Sequence, residues 1–509
     1  MLKVPADRVL PTHTDPVARA ASTPIGGPWG RHAVVGRQWL WTPVRVLLAM
    51  ALLTLAFGWL QKAPCQSANW SLSQPVLNTQ THQLQTVDGK QYVWLCYSDI
   101  IPLYGGEGLD HNAVPYRDHA VEYPVLTGWF MYTAAEIGRG YDHFARKASS
   151  VLPYSSAVET YYEVTVLMLV ICALVMVWAC AGLAGRRVWD AAMVAFAPLL
   201  IVHAFTNWDL FAVALGTAGM LAWSKRRAGL AGVLIGLGTA AKLYPVFLLG
   251  PLLVLCVRAR KLGEFARCLF FVALAWAVVN VPVAVAWTPG WNTFFTNNAD
   301  RGADPDTIWN VAQYAAGKSI PVGLLNTVTV VLFVLACAAI AVLGLSAQRR
   351  PRWPQLCFLV VAAFLLTNKV WSPQYSLWLI PLAVLARPSW RIFICWQAAE
   401  ALLWFPRMYW LFQTSQNAHS SQDHLQVLVR GIDEKWFLLA VVLRDVLVVL
   451  YGVLIVRDIL MPEQDLIRRS GMDDPAGGVL DGVDPEQERR LELRHPVQEE
   501  ERDESELVG

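Results

Sequence analysis

The chain has 509 residues, of which 55% are hydrophobic and only 16% are charged, and its mean hydropathy is +0.38. Ordinary soluble domains carry about 25% charged residues, so this composition excludes a disordered chain and argues against a soluble multidomain protein. The 23 Trp and 15 Tyr residues suit a protein that meets two water–lipid interfaces, where amphipathic rings settle. The composition therefore predicts an integral protein of the lipid bilayer.

The net charge of +2 conceals two oppositely charged parts. Residues 458–509 hold 16 acidic and 6 basic side chains, so the rest of the chain is basic. The basic residues stand in short clusters between apolar runs and do not form one continuous face, which argues against a nucleic-acid partner. The acidic segment has few aromatic residues and is predicted to be a disordered tail.

Twelve apolar runs follow a polar N-terminal segment, residues 1–40, which lacks a cleavable signal pattern and is predicted to be flexible. Several runs are shorter than the roughly 20 residues of a full membrane span. Some neighbouring runs are separated only by a short polar segment that contains proline. This arrangement is typical of broken or tilted helices around an interior site. The runs centre on 45–60, 162–183, 188–204, 208–224, 228–241, 244–257, 265–287, 320–346, 353–368, 374–386, 390–406 and 434–456.

The basic clusters indicate how these runs alternate across the membrane. If the N-terminus is cytoplasmic, twelve spans place every short basic loop on the cytoplasmic side, as the positive-inside rule requires. A further crossing by residues 120–137 would reverse all later clusters, so this run is predicted to be an interfacial or re-entrant helix. The clusters are Arg186-Arg187, Lys225-Arg226-Arg227, Arg258/Arg260/Lys261, Arg349/Arg350/Arg352, Arg387/Arg391 and Arg457.

The predicted fold is an all-α polytopic membrane domain, residues 41–457, with about 12 transmembrane helices. Its first extracytoplasmic loop is large and covers residues 62–161. Two further outer loops are expected at 288–319 and 407–433, and both termini, including the acidic tail, are expected in the cytoplasm.

Polar residues recur at the predicted outer ends of several spans and in the first outer loop. Snorkelling of single side chains is one explanation, but acids and bases at the same end of several spans favour a shared outward-facing cavity. There, a carboxylate can accept a proton from a sugar hydroxyl, a lysine can bind a phosphate leaving group, and aromatic faces can stack on a pyranose ring. The pattern predicts sugar transfer from a lipid-phosphate donor.

The ordered motifs resemble glycosyltransferase family 87, the bacterial polyprenyl-phosphate-mannose-dependent mannosyltransferases with the multi-span GT-C fold. The resemblance covers roughly residues 45–456. It implies a GT-C-like bundle and inverting, metal-independent transfer to an actinobacterial cell-envelope glycan or glycolipid, with no cofactor other than the lipid-linked donor. The matching elements are Asp99, Tyr104, Gly108-Leu109, Pro115-Tyr116, Tyr123-Pro124, Asn207-Trp208-Asp209, Lys242-Leu243-Tyr244-Pro245, and Ser372-Pro373-Gln374-Tyr375 with Trp378 and Pro381.

The family places its catalytic base in the first outer loop, and this position falls on Asp99. The alternative for Asp99 is a helix cap before Ile100, a role that aspartate favours. Glu122 is the second candidate base, or a residue that only orients the following turn. Asp110 and Asp118 are interpreted as solvated loop acids.

The remaining site predictions concern substrate contacts. Donor-phosphate contact is predicted for Lys242, Lys369 and His203, and no metal site is expected. The alternative role for the aromatic candidates is a place in the belt of aromatic residues at the membrane interface. The alternative role for Asp209 is to cap a helix or to pair with a lysine. Sugar or acceptor contact is predicted for Tyr104, Tyr116, Asn207, Trp208, Asp209, Tyr244, Trp371 and Tyr375.

Two of the nine cysteines, Cys65 and Cys96, fall in the first outer loop, where they can form a disulfide or remain two free thiols. The favoured function is a plasma-membrane hexosyltransferase with an extracytoplasmic site, and mannose is the sugar that the family implies. A lipid-linked-sugar flippase or transporter and a non-catalytic membrane scaffold are the alternatives. The absence of an evident internal sequence repeat favours the enzyme over the transporter.

Overall fold

The computed structural model describes residues 15–22, 42–66, 72–78, 82, 84–148, 150–153, 155–419, 425–427 and 430–482. Most of the predicted N-terminal segment, residues 1–40, therefore lies outside the described residues. The same is true of residues 483–509 of the predicted acidic tail.

The described chain is dominated by α-helices, and its first half supplies the first ten. They are α1 (Pro16–Ser22), α2 (Pro43–Lys62), α3 (Lys90–Val93), α4 (Ile100–Gly106), α5 (Val125–Lys147), α6 (Ala157–Leu183), α7 (Ala192–Ala195), α8 (Pro198–His203), α9 (Asp209–Ser224) and α10 (Ala228–Ala241).

The second half continues the bundle, and short 3-10 helices join several elements. The α-helices are α11 (Leu249–Arg258), α12 (Leu262–Ala286), α13 (Thr288–Asp300), α14 (Ile308–Ala316), α15 (Val322–Ser346), α16 (Trp353–Thr367), α17 (Leu379–Ala386), α18 (Trp390–His419), α19 (Glu434–Leu460) and α20 (Leu466–Arg469). The 3-10 helices are Ala63–Cys65, Leu109–His111, Gly185–Ala191, Tyr244–Leu248, Pro373–Trp378, Pro462–Gln464 and Gly478–Leu480.

Five helices among the described residues, α2, α6, α12, α15 and α19, are long and apolar enough to cross a membrane. Five shorter apolar helical segments accompany them, and the predicted total of about 12 spans stays a prediction. The shorter segments are Asp209–Ser224, Ala228–Ala241, Tyr244–Arg258, Trp353–Thr367 and Pro373–Ala386.

The short helices are separated by short polar segments that contain proline. Helix α10 ends before Lys242, whose backbone is extended, and a 3-10 turn with Pro245 near its start leads into α11. Helix α16 ends before Asn368, and the chain resumes at Pro373. Because proline lacks an amide donor and restricts the preceding residue, these segments end regular helix and expose polar groups inside the bundle.

Close packing of α10 on α12 depends on two glycines four residues apart. A Cβ atom on Gly232 would lie 2.2 Å from the Cys268 carbonyl oxygen, and one on Gly236 would lie 2.5 Å from that of Val272. Small residues at this spacing allow two helix backbones to approach closely, as is common between membrane helices. Helix α10 therefore has a fixed position, and Lys242 follows directly at its end.

The run predicted to be interfacial, 120–137, corresponds to α5, which begins at Val125 and extends to Lys147. It is not among the helices apolar enough to span a membrane. It buries one face, including Phe130 and Met131, and ends in Arg146 and Lys147. This amphipathic pattern suits a helix that lies along an interface.

The first and last predicted outer loops meet in a small antiparallel sheet beside the all-α bundle. Its strands are β1 (Leu72–Asn78), β2 (Leu84–Asp88) and β3 (Leu425–Val427), in the order β2-β1-β3. The pairing of β1 with β3 brings residues 76–78 of the first predicted outer loop beside residues 425–427 of the last.

A folded C-terminal segment, residues 461–482, packs at another end of the bundle against loops predicted to be cytoplasmic. Arg352 forms an ion pair of 2.7 Å with buried Asp465, and the Trp223 indole donates to the Gly477 carbonyl at 2.8 Å. The prediction of a disordered tail is therefore wrong for residues 458–482, because buried arginines of the bundle pair with acids of this segment.

Cys65 and Cys96 form a disulfide, with a Cα–Cα distance of 5.7 Å. It ties the end of α2 to the segment that leads into Asp99. In the same place Lys62 donates to the Tyr97 carbonyl at 2.7 Å, and Gln61 donates to the Leu95 carbonyl.

We expect Cys65→Ser to lower stability, because the disulfide closes a loop with a sequence separation of 31 residues. Loop-closure entropy of this length is worth about 3 to 4 kcal/mol. Thermal unfolding of the protein in detergent should show a lower midpoint for this variant, and reductant should lower the wild-type midpoint similarly. Exposed, unpaired Cys395 provides the matched control: an equal loss in Cys395→Ser would contradict the prediction.

Candidate functional site

A cavity of about 730 Å³ opens at the end of the bundle that carries the disulfide. Polar side chains dominate its wall. It brings together five of the predicted site residues, Asp99, Glu122, Asn207, Lys242 and Tyr375. The lining comes from six parts of the chain, within residues 97–103, 122–124, 206–242, 294–301, 372–375 and 404–407.

Asp99 is held by hydrogen bonds to both carboxylate oxygens. The Tyr97 hydroxyl donates to Oδ1 at 2.8 Å, and the Asn207 amide donates to Oδ2 at 2.8 Å. Although Asp99 precedes α4, its side chain makes no capping hydrogen bond to that helix. The nearby Asp99 charge, together with burial, raises the pKa of Tyr97, which therefore remains a proton donor to the carboxylate.

Hydrogen bonds between two loops, residues 98–99 and 205–207, fix the position of this carboxylate. The Asp99 amide donates to the Thr206 carbonyl at 2.8 Å, and Ser98 Oγ donates to the Phe205 carbonyl at 2.7 Å. Asn207 completes this set of hydrogen bonds, because its side-chain amide also donates to the Tyr123 hydroxyl at 2.9 Å. The consequence is a pre-oriented carboxylate on the cavity wall.

The other carboxylates of the first outer loop have different environments. Glu122 lines the cavity and is exposed. Asp110 pairs with His111, and Asp118 pairs with Arg117, whose hydrogen bonds lower the pKa of Asp118 to about 2. Both lie outside the cavity lining.

Glu107 is a buried carboxyl that the sequence prediction did not consider. Burial, reinforced by the charge of Glu122, raises its pKa to about 7. His119 Nε2 lies 3.4 Å from its Oε2. Glu107 does not line the cavity, so it supports the loop that carries Glu122.

Lys242 presents its ammonium group on the cavity wall between two aromatic rings. Its Nζ lies 5.2 Å from the Tyr123 ring centre and 5.0 Å from that of Tyr375. Behind it, fully buried Asp209 lies 3.3 Å from Nζ and accepts a 2.7 Å hydrogen bond from the Trp378 indole. Asp209 therefore positions the lysine and does not itself line the cavity.

Two residues predicted to contact phosphate lie outside the cavity lining. Lys369 Nζ donates to the carbonyls of Ala299 and Arg301 at 3.0 and 2.6 Å, so it holds the C-terminal end of α13 in place. His203 is buried, with its ring 4.9 Å from that of Trp404 in an edge-on arrangement. Both therefore support the wall from behind.

Most of the predicted sugar-contacting aromatic residues also stand behind the wall. Tyr104 stacks on Tyr161 at 4.7 Å, and the Tyr116 hydroxyl donates to the Pro124 carbonyl at 2.9 Å. The others are also buried: Trp208 packs edge-on against Tyr123, Tyr244 stacks on Trp378, and Trp371 lies under the Arg444 guanidinium.

The lining also contains aromatic and basic residues that were not among the site predictions, including Tyr97, Arg301, Trp404 and Arg407. Arg301 is paired with Asp304 at 2.8 Å, and Arg407 with Asp306 at 2.8 Å. One sequence signal was available: an arginine at 407 stands at the predicted outer end of a span, against the bias that places basic residues inside.

Comparison with known proteins gives a family match that overlaps part of the cavity lining. A model of glycosyltransferase family 87 matches residues 148–373, a segment that contains Asn207 and Lys242. No curated protein matches the chain. Asp99 and Arg407 lie outside the matched segment, so their roles rest on geometry. The match supports the resemblance predicted from the sequence: residues 148–373 are similar to glycosyltransferase family 87. Together with the five described helices that are long and apolar enough to cross a membrane, this similarity supports a membrane glycosyltransferase.

Proposed function

We propose that this protein transfers a hexose, namely mannose, from a polyprenyl-phosphate donor to a hydroxyl of a cell-envelope glycan or glycolipid. The reaction takes place on the extracytoplasmic side of the plasma membrane. The observation that carries the proposal is the joint presence, in one cavity, of an oriented carboxylate, Asp99, and an oriented ammonium group, Lys242.

In the proposed reaction Asp99 accepts the proton of the acceptor hydroxyl as that oxygen attacks C1 of the donor sugar. The bond from C1 to the phosphate oxygen breaks, and polyprenyl phosphate leaves with that electron pair. Attack opposite the leaving group inverts the configuration at C1. Lys242 stabilises the negative charge that develops on the phosphate.

Apolar spaces next to the cavity support a lipid-linked donor. A pocket of about 80 Å³, lined largely by apolar side chains, shares Tyr123, Pro124 and Phe294 with the main cavity. A separate groove of about 420 Å³ lies between α5 and α12, where Trp129 and Trp287 line it. A polyprenyl chain in these spaces would leave its phosphate at the Lys242 end of the cavity.

The test is transfer of radiolabelled mannose from polyprenyl-phosphate-mannose by membranes that contain the full-length protein. We expect labelled glycan or glycolipid to form, also in the presence of a chelator, because Lys242 supplies the positive charge. Activity that a divalent cation alone restores would contradict metal independence. Donor movement across sealed vesicles without product would favour a flippase, and neither product nor donor binding would favour a scaffold.

Asn207 should act as a positioning residue for Asp99. In Asn207→Ala both the Asp99 carboxylate and the Tyr123 hydroxyl lose a hydrogen-bond donor, and misplacement of a reacting group can cost about 10²-fold in rate. We expect kcat to fall by roughly that factor while the KM for the donor changes little. Asn298→Ala is the matched control, because Asn298 lines the same cavity but donates to the Phe294 carbonyl. Equal losses in both variants would refute the positioning role.

A further inference from the structure

Arg407 is a cation on the cavity wall that the proposed donor site does not use. Its Nε donates to both oxygens of Asp306, at 3.1 and 2.8 Å, and its guanidinium carbon lies 5.7 Å from the centre of the Trp404 ring. No hydrogen bond from its terminal nitrogens is found among the described residues. One edge of the guanidinium is therefore fixed, while the terminal nitrogens remain available at the cavity.

A chain of side-chain contacts connects Arg407 to Lys242, with Asp99 in the middle of the chain. The first arm of this chain runs from Asp99 to Tyr97, then to Trp404 and Arg407. The ring centres of Tyr97 and Trp404 are 6.3 Å apart. The other arm is Asn207, Tyr123 and Lys242, described above. The charges of Arg407 and Lys242 both act on Asp99.

The position of the apolar spaces distinguishes the Lys242 end of this chain of contacts from the Arg407 end. The pocket of about 80 Å³ adjoins the cavity at Tyr123, on the Lys242 arm, so a lipid-phosphate donor that occupies it would place its single phosphate there. Trp404 and Arg407 do not line those spaces. Arg407 is therefore left for the other substrate, whose hydroxyl must also reach Asp99.

We infer that Arg407 recognises an anionic group, a phosphate or a carboxylate, on the acceptor saccharide. This inference rests on the proposed function and specifies the acceptor class: a saccharide with a negative charge close to the hydroxyl that receives the sugar. The planar fork of an arginine suits either anion, because two parallel N–H groups can meet two oxygens.

The test uses calorimetric binding to the full-length protein in lipid nanodiscs. The probes are octyl α-mannoside, its 6-phosphate and octyl α-mannuronoside, which are neutral, phosphorylated and carboxylated respectively. We expect at least one anionic probe to bind about tenfold more tightly than the neutral one, in line with a charge-assisted hydrogen bond. Comparison of the two anionic probes identifies which anion the site prefers.

Arg407→Lys keeps a charge beside Asp306 but loses the fork, and we expect it to reduce the preference to about threefold or less. Arg407→Gln combined with Asp306→Asn removes the pair without leaving a buried carboxylate unpaired, and should abolish the preference. Equal binding of the three probes by the wild type would overturn the inference, as would an anion preference that persists in both variants.

Binding of polyprenyl phosphate separates this inference from the proposed function. We expect Lys242→Gln to weaken it and Arg407→Lys to leave it unchanged. Weakening by Arg407→Lys would assign this arginine to the donor and overturn the inference. Failure of the wild type to bind polyprenyl phosphate, with the Arg407-dependent preference intact, would refute only the proposed donor.

Discussion

Asp99→Asn is expected to remove sugar transfer while the protein still folds and binds its donor. A general base contributes about 10² to 10⁴ in rate, and asparagine cannot accept the hydroxyl proton. Asparagine has nearly the same shape as aspartate, and its amide oxygen can still accept the hydrogen bond from Asn207. The Tyr97 hydroxyl can turn to accept from the new amide group, since a hydroxyl both donates and accepts.

The measurement is the initial rate of mannose transfer in membranes with equal amounts of wild-type and variant protein. Thermal unfolding and polyprenyl-phosphate binding report whether the variant is intact. Glu122→Gln is the matched control, because Glu122 lines the same cavity but is exposed and belongs to the neighbouring loop. We expect less than about a tenfold loss for that variant, well below the range for a general base. The reverse order of effects would move the base to Glu122.

Three of the five predicted residues that line the cavity stand close to the end of an α-helix. Asp99 precedes α4, Asn207 precedes α9, and Lys242 follows α10. A polar residue at such a position can be recognised from the chain because the apolar run stops there. Tyr375 follows the break at Pro373 for the same reason.

The direction of each side chain could not be predicted in this way. Lys369 also stands at a helix break, but its ammonium group donates to two carbonyls at the C-terminal end of α13. Asp209 is one residue into α9 and points at Lys242, away from the cavity lining. These outcomes depend on contacts between distant parts of the chain, which a single sequence does not reveal.

Arg407 was missed because of a helix that continues further than its sequence suggests. The predicted span ended at residue 406, and an outer loop was predicted to begin at residue 407. In the structure α18 runs through Pro406 to His419, so Trp404 and Arg407 lie on one continuous helix. Proline in a membrane helix is tolerated when neighbouring groups satisfy the freed backbone. The partner of Arg407, Asp306, lies in a separate outer loop, about 100 residues earlier.

Lys242→Gln is expected to lower kcat/KM for the lipid donor by about 10² to 10³, the usual effect of removing one group that stabilises transition-state charge. The loss should appear in the affinity for polyprenyl phosphate as well as in kcat, because the ammonium group contacts the phosphate before and after transfer. Lys242→Arg should retain part of the affinity for polyprenyl phosphate and part of kcat, since it keeps the charge but presents it in a different geometry.

Asp209 complicates this experiment, because Lys242→Gln leaves its buried carboxylate without the ion pair. An uncompensated buried charge destabilises a protein by about 3 to 5 kcal/mol, which would lower activity for a reason unrelated to phosphate. Lys242→Gln combined with Asp209→Asn removes both charges, and the Trp378 indole can still donate to the new amide oxygen. If this double variant regains thermal stability but not donor binding, Lys242 is the phosphate ligand. Donor affinity equal to that of the wild type would assign the phosphate to another cation of the cavity, with Arg301 the first to test.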